Sequence, residues 1–483
     1  MINNIPEKYN QLILITSESC NLSCNYCVMA NQINKERHKN EAIKVKESFL
    51  NGEYEKTIDQ LFSRLNLDYT KIQHMSLWGQ EPTLTLNEFS YFFPNLYNKF
   101  PNFKDIFFST NIIAFPERIV NFIKTVSNTI QKPFTITIQF SYDGKESTLN
   151  QRKIDPNIIL NNIRSIILEI NKMNLSENLS IKFTFHCVVN DTIINKFGTK
   201  NYNKKELYEY WKEFSDIKKD FQQLNTSKQL SIRSFSPATL IPFNASVEEG
   251  QKLSQFYKNT IKIDDNSIEK IWNILLQTQI RNSLNFPYEI KGKELISKMM
   301  TLNYSNIKFL PQISSTTTCN ANYSNFKIRY DGTFVHCQSA IMGLSKEELQ
   351  GNEGTIWDIQ KYKLEKNFYP NIFSSSDIEL EKYFYQIKMA STQSFPLLFS
   401  ESLNLMTLLL KANQIDPTYN DLEKRIKHAY FITMTNCCPH NNIMETGSLI
   451  GRSTGWIRFL CNGFMDIAEQ EYFKKIGEFK HGN

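Results

Sequence analysis

The stretch LILITSESCNLSCNYC, residues 12–27, joins a short apolar run to three cysteines, Cys20, Cys24 and Cys27, lying within eight residues of one another. The run is too short for a helix and rich in isoleucine, so it reads as a β-strand over 12–16. Three thiolates packed this closely suit a metal centre. In a four-iron cluster they leave one iron without a protein ligand, and that open iron is a place for substrate. Thiolates on a short loop suit a tetrahedral structural zinc site equally well, so the triplet by itself leaves iron and zinc both open.

Composition narrows the setting. A chain of 483 residues with 41% hydrophobic content can bury a large core and is expected to contain more than one domain. No apolar run reaches the eighteen or so residues of a membrane span, and residues 12–15 are too few for a signal-peptide core, so a cytoplasmic protein without a membrane partner is expected. Nine cysteines in a reducing compartment point to metal or redox chemistry rather than disulfides. The net charge of +6 is mild for this length, and without a run of five or six basic residues nucleic acid is disfavoured as a partner.

Strand patterns recur at 12–16, 74–78, 106–110, 135–142, 181–190 and 230–235. Each is followed by a loop and then helical spacing, as in FPERIVNFIKTV (115–126) and PNIILNNIRSIILEIN (156–171). Strands alternating with helices predict an α/β fold with a parallel sheet or barrel inside and helices outside. The segment SVEEGQKLSQFYKN opens with Ser246 as an expected N-cap, and from about residue 261 the pattern turns helical and less regular.

Four further motifs follow the cysteines in order: LWGQEPTL (77–84), FSTNIIA (108–114), IQFSYDG (138–144) and LNQRK (149–153). Cys20-x3-Cys24-x2-Cys27 behind a first strand, with these motifs after it, resembles the radical S-adenosylmethionine enzymes. The resemblance implies a partial (β/α)6 TIM-like barrel and a [4Fe–4S] cluster on Cys20, Cys24 and Cys27, with its fourth iron binding S-adenosylmethionine. It implies that Tyr26 packs near the adenine, that Gly79 and Glu81 of a Gly-Gly-Glu-Pro-like loop receive the methionine amino group, and that Asn111 matches a strand-three Thr-Asn-Gly segment. Ser141 would contact the ribose and Arg152 would clamp the methionine carboxylate, a task suited to paired guanidinium donors. The chain departs from the pattern at Gln80 and at Ile112, where glycines are expected. Asp143-Gly144 also reads as a simple tight turn.

CNANYSNFKIRYDGTFVHC, with Cys319, Gly332 and Cys337, and the later GNEGTIWDI resemble the opening of the SPASM and twitch domains, which carry auxiliary clusters. A full SPASM domain would continue with a compact group of cysteines. Here Cys437, Cys438 and Cys461 follow only after about a hundred residues of helical pattern. One auxiliary [4Fe–4S] cluster is therefore expected, on Cys319, Cys337, one of Cys437 and Cys438, and Cys461. Buried apolar thiols are the alternative for the last three. The implied division is a barrel over 1–250, a helical connector over 251–318, the first part of a mainly helical auxiliary-cluster region over 319–345, a helical insertion over 346–430 and the remainder of that region over 431–483.

These resemblances imply an oxidoreductase that cleaves S-adenosylmethionine reductively and uses the deoxyadenosyl radical to oxidise or cross-link residues of a ribosomally made peptide or protein. The implied partners are a peptide or protein substrate and an electron donor such as flavodoxin or ferredoxin. Only about ten residues precede the first strand, so a separate leader-binding protein or the helical insertion is expected to capture the peptide. A radical dehydrogenase or rearrangement enzyme for a small molecule is the alternative within the class. A zinc-stapled module binding RNA or protein is the alternative outside it.

Strand alternation settles one further choice. In KFTFHCVVN (182–190) side chains point to opposite faces in turn, which separates His186 from Cys187. The face with Phe183, Phe185 and Cys187 is expected to pack under helices. His186 is expected to share the inner face with Ser141, as a proton-transfer group or a substrate hydrogen-bond partner, or as a satisfied interior histidine.

Overall fold

The computed structural model describes residues 9–17, 19–25, 35–239, 325–335 and 370–392, with isolated positions at 2, 5, 6, 252, 256 and 259, and describes only the backbone at 35–39, 189, 234–239 and 385–392. Seven strands form one sheet: β1 (Gln11–Ser17), β2 (His74–Gly79), β3 (Asp105–Thr110), β4 (Phe134–Ser141), β5 (Leu179–Val189), β6 (Leu230–Thr239) and β7 (Asn325–Ile328). Their order is β6-β5-β4-β3-β2-β1-β7, and every neighbouring pair is parallel. The first six strands thus stand side by side in chain order, as a (β/α) barrel wall requires. The fold is α/β, as the alternating pattern implies.

Helices α1 (Lys35–Leu50), α2 (Glu53–Arg64), α3 (Leu86–Lys99), α4 (Pro116–Thr129), the single turn α5 (Lys145–Ser147), α6 (Pro156–Lys172), α7 (Asp191–Phe197) and α8 (Lys204–Leu224) occupy the connections. Their ends follow from local chemistry. Helix α6 begins at Pro156 behind Asp155, whose carboxylate accepts the N–H of Asn157, and α8 begins behind Asn203, which accepts from Lys205 and Glu206. Each long helix buries a stripe at three-and-four spacing, as with Ile119, Phe122, Ile123 and Val126 of α4. Among the described residues no helix is long and apolar enough to cross a membrane.

Alternation divides the sheet. Ile136, Ile138 and Phe140 of β4 and Ile181, Phe183 and Phe185 of β5 are fully buried against the helices. The opposite face carries half-buried Thr135, Thr137, Gln139 and Ser141, with Lys182, Thr184 and His186 beside them. A polar inner face under an apolar outer one is what a barrel with an internal site needs.

The strand missing from the sequence reading is β7. It lies within 319–345, the stretch assigned to the auxiliary region, yet it pairs with the free edge of β1. Residues 333–335 turn back on it, with an antiparallel bridge between Ile328 and Phe334. Helix α2 fastens this hairpin: the Tyr54 hydroxyl lies 3.0 Å from the carbonyl oxygens of both Ile15 and Ile328, and Thr57 donates to the Tyr330 carbonyl at 2.6 Å. Arg64 donates to the carbonyl of Ile372 and to Asp377, at the start of α9 (Asp377–Thr392). Cys319, Cys337, Cys437, Cys438 and Cys461, the connector over 251–318 apart from positions 252, 256 and 259, and most of the helical insertion lie outside the described residues.

Candidate active site

The segments that follow β2, β3 and β4 meet the cysteine loop that follows β1, at the end of a parallel sheet where ligands bind. The loop is aimed by a bulge. The register steps from Ile15 paired with Trp78 to Ser17 paired with Gly79, which leaves Thr16 as an extra residue in β1. Thr85 Oγ1 donates to the Thr16 carbonyl at 2.6 Å and fixes the distortion.

Gly79 lies against this bulge. Its φ is 138°, and a Cβ there would stand 1.8 Å from the Ser17 carbonyl oxygen, so only glycine fits. The close approach lets Gln80 N–H donate to Ser17 O at 3.0 Å and Glu81 N–H to Ser19 O at 3.1 Å. The Gln-for-Gly change at position 80 is compatible with this, because the contact uses its backbone.

Glu81 is almost completely buried, and its carboxylate gathers donors from two loops. Oε1 accepts from Thr83 N at 3.1 Å, Thr83 Oγ1 at 2.5 Å and Thr110 Oγ1 at 2.7 Å, while Oε2 accepts from Asn111 N at 2.8 Å. Burial pushes its carboxyl up from the ordinary value, and these donors oppose the shift. The side chain therefore ties β2 to β3, and what faces the site from this loop is backbone.

Asn111 is buried and reaches the cysteine loop. Its Nδ2 lies 2.8 Å from Asn21 Oδ1 and 3.6 Å from Cys20 Sγ, and Leu22 N–H also points at that sulfur, at 3.4 Å. Two N–H groups directed at one sulfur favour a thiolate, against the longer contact of that sulfur with Asn21 Oδ1 at 3.9 Å, so this position fits a thiolate-held metal or cluster. Cys24 is buried nearby in the chain. Among the described residues no three His, Cys, Asp or Glu side chains are gathered to hold a metal; the third cysteine, Cys27, and Tyr26 lie outside them.

The far side of the loop rests on the segment after β4. Asn25 N–H donates to Gln151 O at 2.9 Å, and its amide to Asn150 O at 3.3 Å. Residues Thr148–Arg152 form a π-type turn, a distortion common at functional sites. At its end Arg152 is buried, with Nε 2.7 Å and Nη2 3.1 Å from the two oxygens of a fully buried Asp143. Asp143 Oδ1 also accepts from Val188 N at 2.8 Å. The paired donors expected to clamp an incoming carboxylate thus already face one from this chain. Asp143 was legible only as a turn residue, although an acid and an arginine nine apart in one motif offered the pairing.

Ser141 and His186 stand opposite each other in register on the inner face. Desolvation holds the half-buried His186 below the ordinary histidine value, which keeps it neutral and able both to donate and to accept. Cys187 faces the other way, buried under α8 with its sulfur 3.2 Å from the Tyr210 hydroxyl, and burial pushes its thiol up. The β5–β6 register does shift between Phe183 and Phe185, but the additional residue is on β6, and β5 runs in unbroken register with β4. The alternation expected for β5 holds.

No protein-family model matches the sequence, and no curated protein matches it. Among solved structures, SuiB from Streptococcus suis bound to S-adenosylmethionine is similar, with a TM-score of 0.39 and 14% identity, over 79% of this chain and 65% of that one. A second SuiB structure, with a TM-score of 0.39 and 14% identity, matches over 71% of this chain and 63% of that one. SuiB bound to the precursor peptide SuiA matches with a TM-score of 0.38 and 14% identity, over 71% and 62%. The match thus spans less than two thirds of the length of each of these chains.

Proposed function

We propose that this chain is a radical S-adenosylmethionine enzyme that oxidises or cross-links residues of a ribosomally made peptide or protein. The observation that carries the reading is the convergence of its separate motifs on one loop. Ser19 is held by Glu81, Cys20 by Asn111, and Asn25 by Gln151 and Asn150. Residues spread over more than a hundred positions thus converge on the loop that carries Cys20 and Cys24, in the order the resemblance implies.

In this reading Cys20, Cys24 and Cys27 hold a [4Fe–4S] cluster, which when bound supplies the electron that breaks a sulfur–carbon bond of S-adenosylmethionine. The chain's own contribution is placement. Gly79 lets the loop over 79–81 lie against the β1 bulge, and the backbone carbonyls of that loop are assigned to receive an ammonium group. Ser141 offers a hydroxyl to the ribose, Tyr26 a ring to the adenine, and neutral His186 takes a proton or hydrogen bond from the substrate. Arg152 neutralises Asp143 and so fixes the turn under the cysteine loop. Cys319, Cys337, Cys461 and one of Cys437 and Cys438 are assigned to one auxiliary cluster. A flavodoxin or ferredoxin is assigned as donor, and peptide capture to a leader-binding protein or the insertion over 346–430.

Anaerobic purification tests the reading. Bound iron and sulfide, with cleavage of S-adenosylmethionine that disappears when Cys20, Cys24 and Cys27 are all changed to Ala while part of the iron remains, is the expected result. Bound zinc without iron, or cleavage surviving in the triple variant, overturns it.

A further inference from the structure

Asn111 is held more firmly than a surface amide would be. Its backbone N–H donates to the buried Glu81 carboxylate at 2.8 Å, and its Oδ1 accepts from Ile113 N at 3.1 Å. The next residue, Ile112, is fully buried and has φ of 51°, in the left-handed region that a β-branched side chain strongly disfavours. Such strain persists only where the surroundings over-determine it. Here Thr110 Oγ1 accepts from Ile112 N at 2.9 Å, while Asn162 of α6 donates to the carbonyls of Ile112 at 2.7 Å and Ile113 at 3.2 Å. The result is an amide nitrogen fixed 3.6 Å from Cys20 Sγ, long for an oxygen acceptor but within reach of the larger sulfur.

We propose that the Asn111 amide is a tuning group, whose N–H bond to the Cys20 sulfur raises the reduction potential of the cluster that the cysteines hold. The inference rests on the cluster reading above. On one-electron reduction the added charge is shared over the cluster and its thiolate sulfurs. A fixed N–H dipole directed at one sulfur stabilises that state more than the oxidised one, and hydrogen bonds to the sulfurs are among the levers that set cluster potentials. The donor is pre-positioned by Glu81, Thr110 and Asn162, so no reorganisation accompanies the arrival of the electron.

The test is a potentiometric titration of the reconstituted full chain, with dithionite as reductant and the reduced cluster followed by its electron paramagnetic resonance signal, without turnover. Asn111→Asp keeps the size and the Oδ1 acceptor but removes the donor. At a fixed applied potential it should lower the ratio of reduced to oxidised cluster about tenfold, a midpoint about 59 mV more negative. Asn21→Asp is the charge control. Asn21 Oδ1 is itself 3.9 Å from Cys20 Sγ and already accepts from the Asn111 amide at 2.8 Å, so this variant adds a similar charge while the amide keeps an acceptor at Asn21 and its second N–H for the sulfur. A shift in Asn111→Asp clearly larger than in Asn21→Asp supports the proposal, and an equal or smaller one overturns it. If Asn111→Asp holds no iron, Asn111→Ala is read in its place, where a more negative midpoint supports the proposal and an unmoved one overturns it. A wild-type chain that takes up no iron and sulfide overturns the cluster reading itself, which separates the two failures.

Discussion

Changing Glu81 to Gln probes the joint between β2 and β3 with almost no change of shape. A carboxylate presents two oxygens that only accept, whereas an amide presents one oxygen and one NH2 that only donates. The Thr83 and Thr110 hydroxyls can rotate to accept, but the backbone N–H groups of Thr83 and Asn111 cannot, and they sit on opposite oxygens. Whichever way the new amide is flipped, its nitrogen faces a fixed donor. A buried donor left unsatisfied costs about 1–3 kcal/mol, and with the neighbouring bonds weakened we expect a loss of about 2–3 kcal/mol. In urea this lowers the unfolding midpoint by on the order of 1 M. The pH dependence carries a sign. Because burial raises the folded-state value above the ordinary 4.5, the folded chain binds more protons than the unfolded one between those two values. The Glu81 contribution is therefore complete below about pH 4.5 and is lost as pH rises through the raised value. Glutamine removes that slope, so the difference between wild type and variant should shrink as pH rises. An unchanged midpoint refutes the reasoning about the fixed donors, and a difference that grows with pH refutes the direction assigned to the carboxyl.

Asp143→Asn should cost about 3–5 kcal/mol in urea unfolding, because the buried Arg152 guanidinium loses its counter-charge, while Asp143→Asn with Arg152→Met should recover part of that loss; a single-variant loss below about 1 kcal/mol would show that the pair is solvated. Cys187→Ala should keep turnover and give product without carbon-bound deuterium in heavy water, since the thiol lies under α8; loss of activity together with deuterium in the wild-type product would assign it as a hydrogen donor. His186→Ala should slow product formation more than cleavage of S-adenosylmethionine. As desolvation depresses the His186 value, its contribution to stability is complete above about pH 6.5 and lost as pH falls, and a variant that loses as much stability at pH 5 as wild type would refute this.

The six barrel strands were legible because each needs only a local signal. Alternation and β-branched runs located 12–16, 74–78 and 106–110 to within a residue of the observed strands, and the same period separated His186 from Cys187. β7 was not legible. NFKI is four residues long, and it is a strand because Tyr54 of α2 and the open edge of β1 hold it, partners more than 250 residues away in sequence. The candidate site divides in the same way. The glycine at position 79 could be read from its motif, since its role depends on the residue having no side chain. The resemblance implies an Arg152 side chain that clamps a cofactor carboxylate and a Glu81 loop that receives an ammonium group largely through backbone; the folded chain turns both side chains inward, onto Thr110 and Asn111 in one case and Asp143 in the other. A motif records that a charge is required and not which way it points. Here both charges are satisfied by a neighbour on the adjacent strand or turn, as a low-dielectric interior demands. On the inner face the half-buried polar side chains then include Ser141 and His186, in register with each other. Altering the half-buried inner-face residues should accordingly change function with little effect on stability, whereas altering the buried acids should lower stability first.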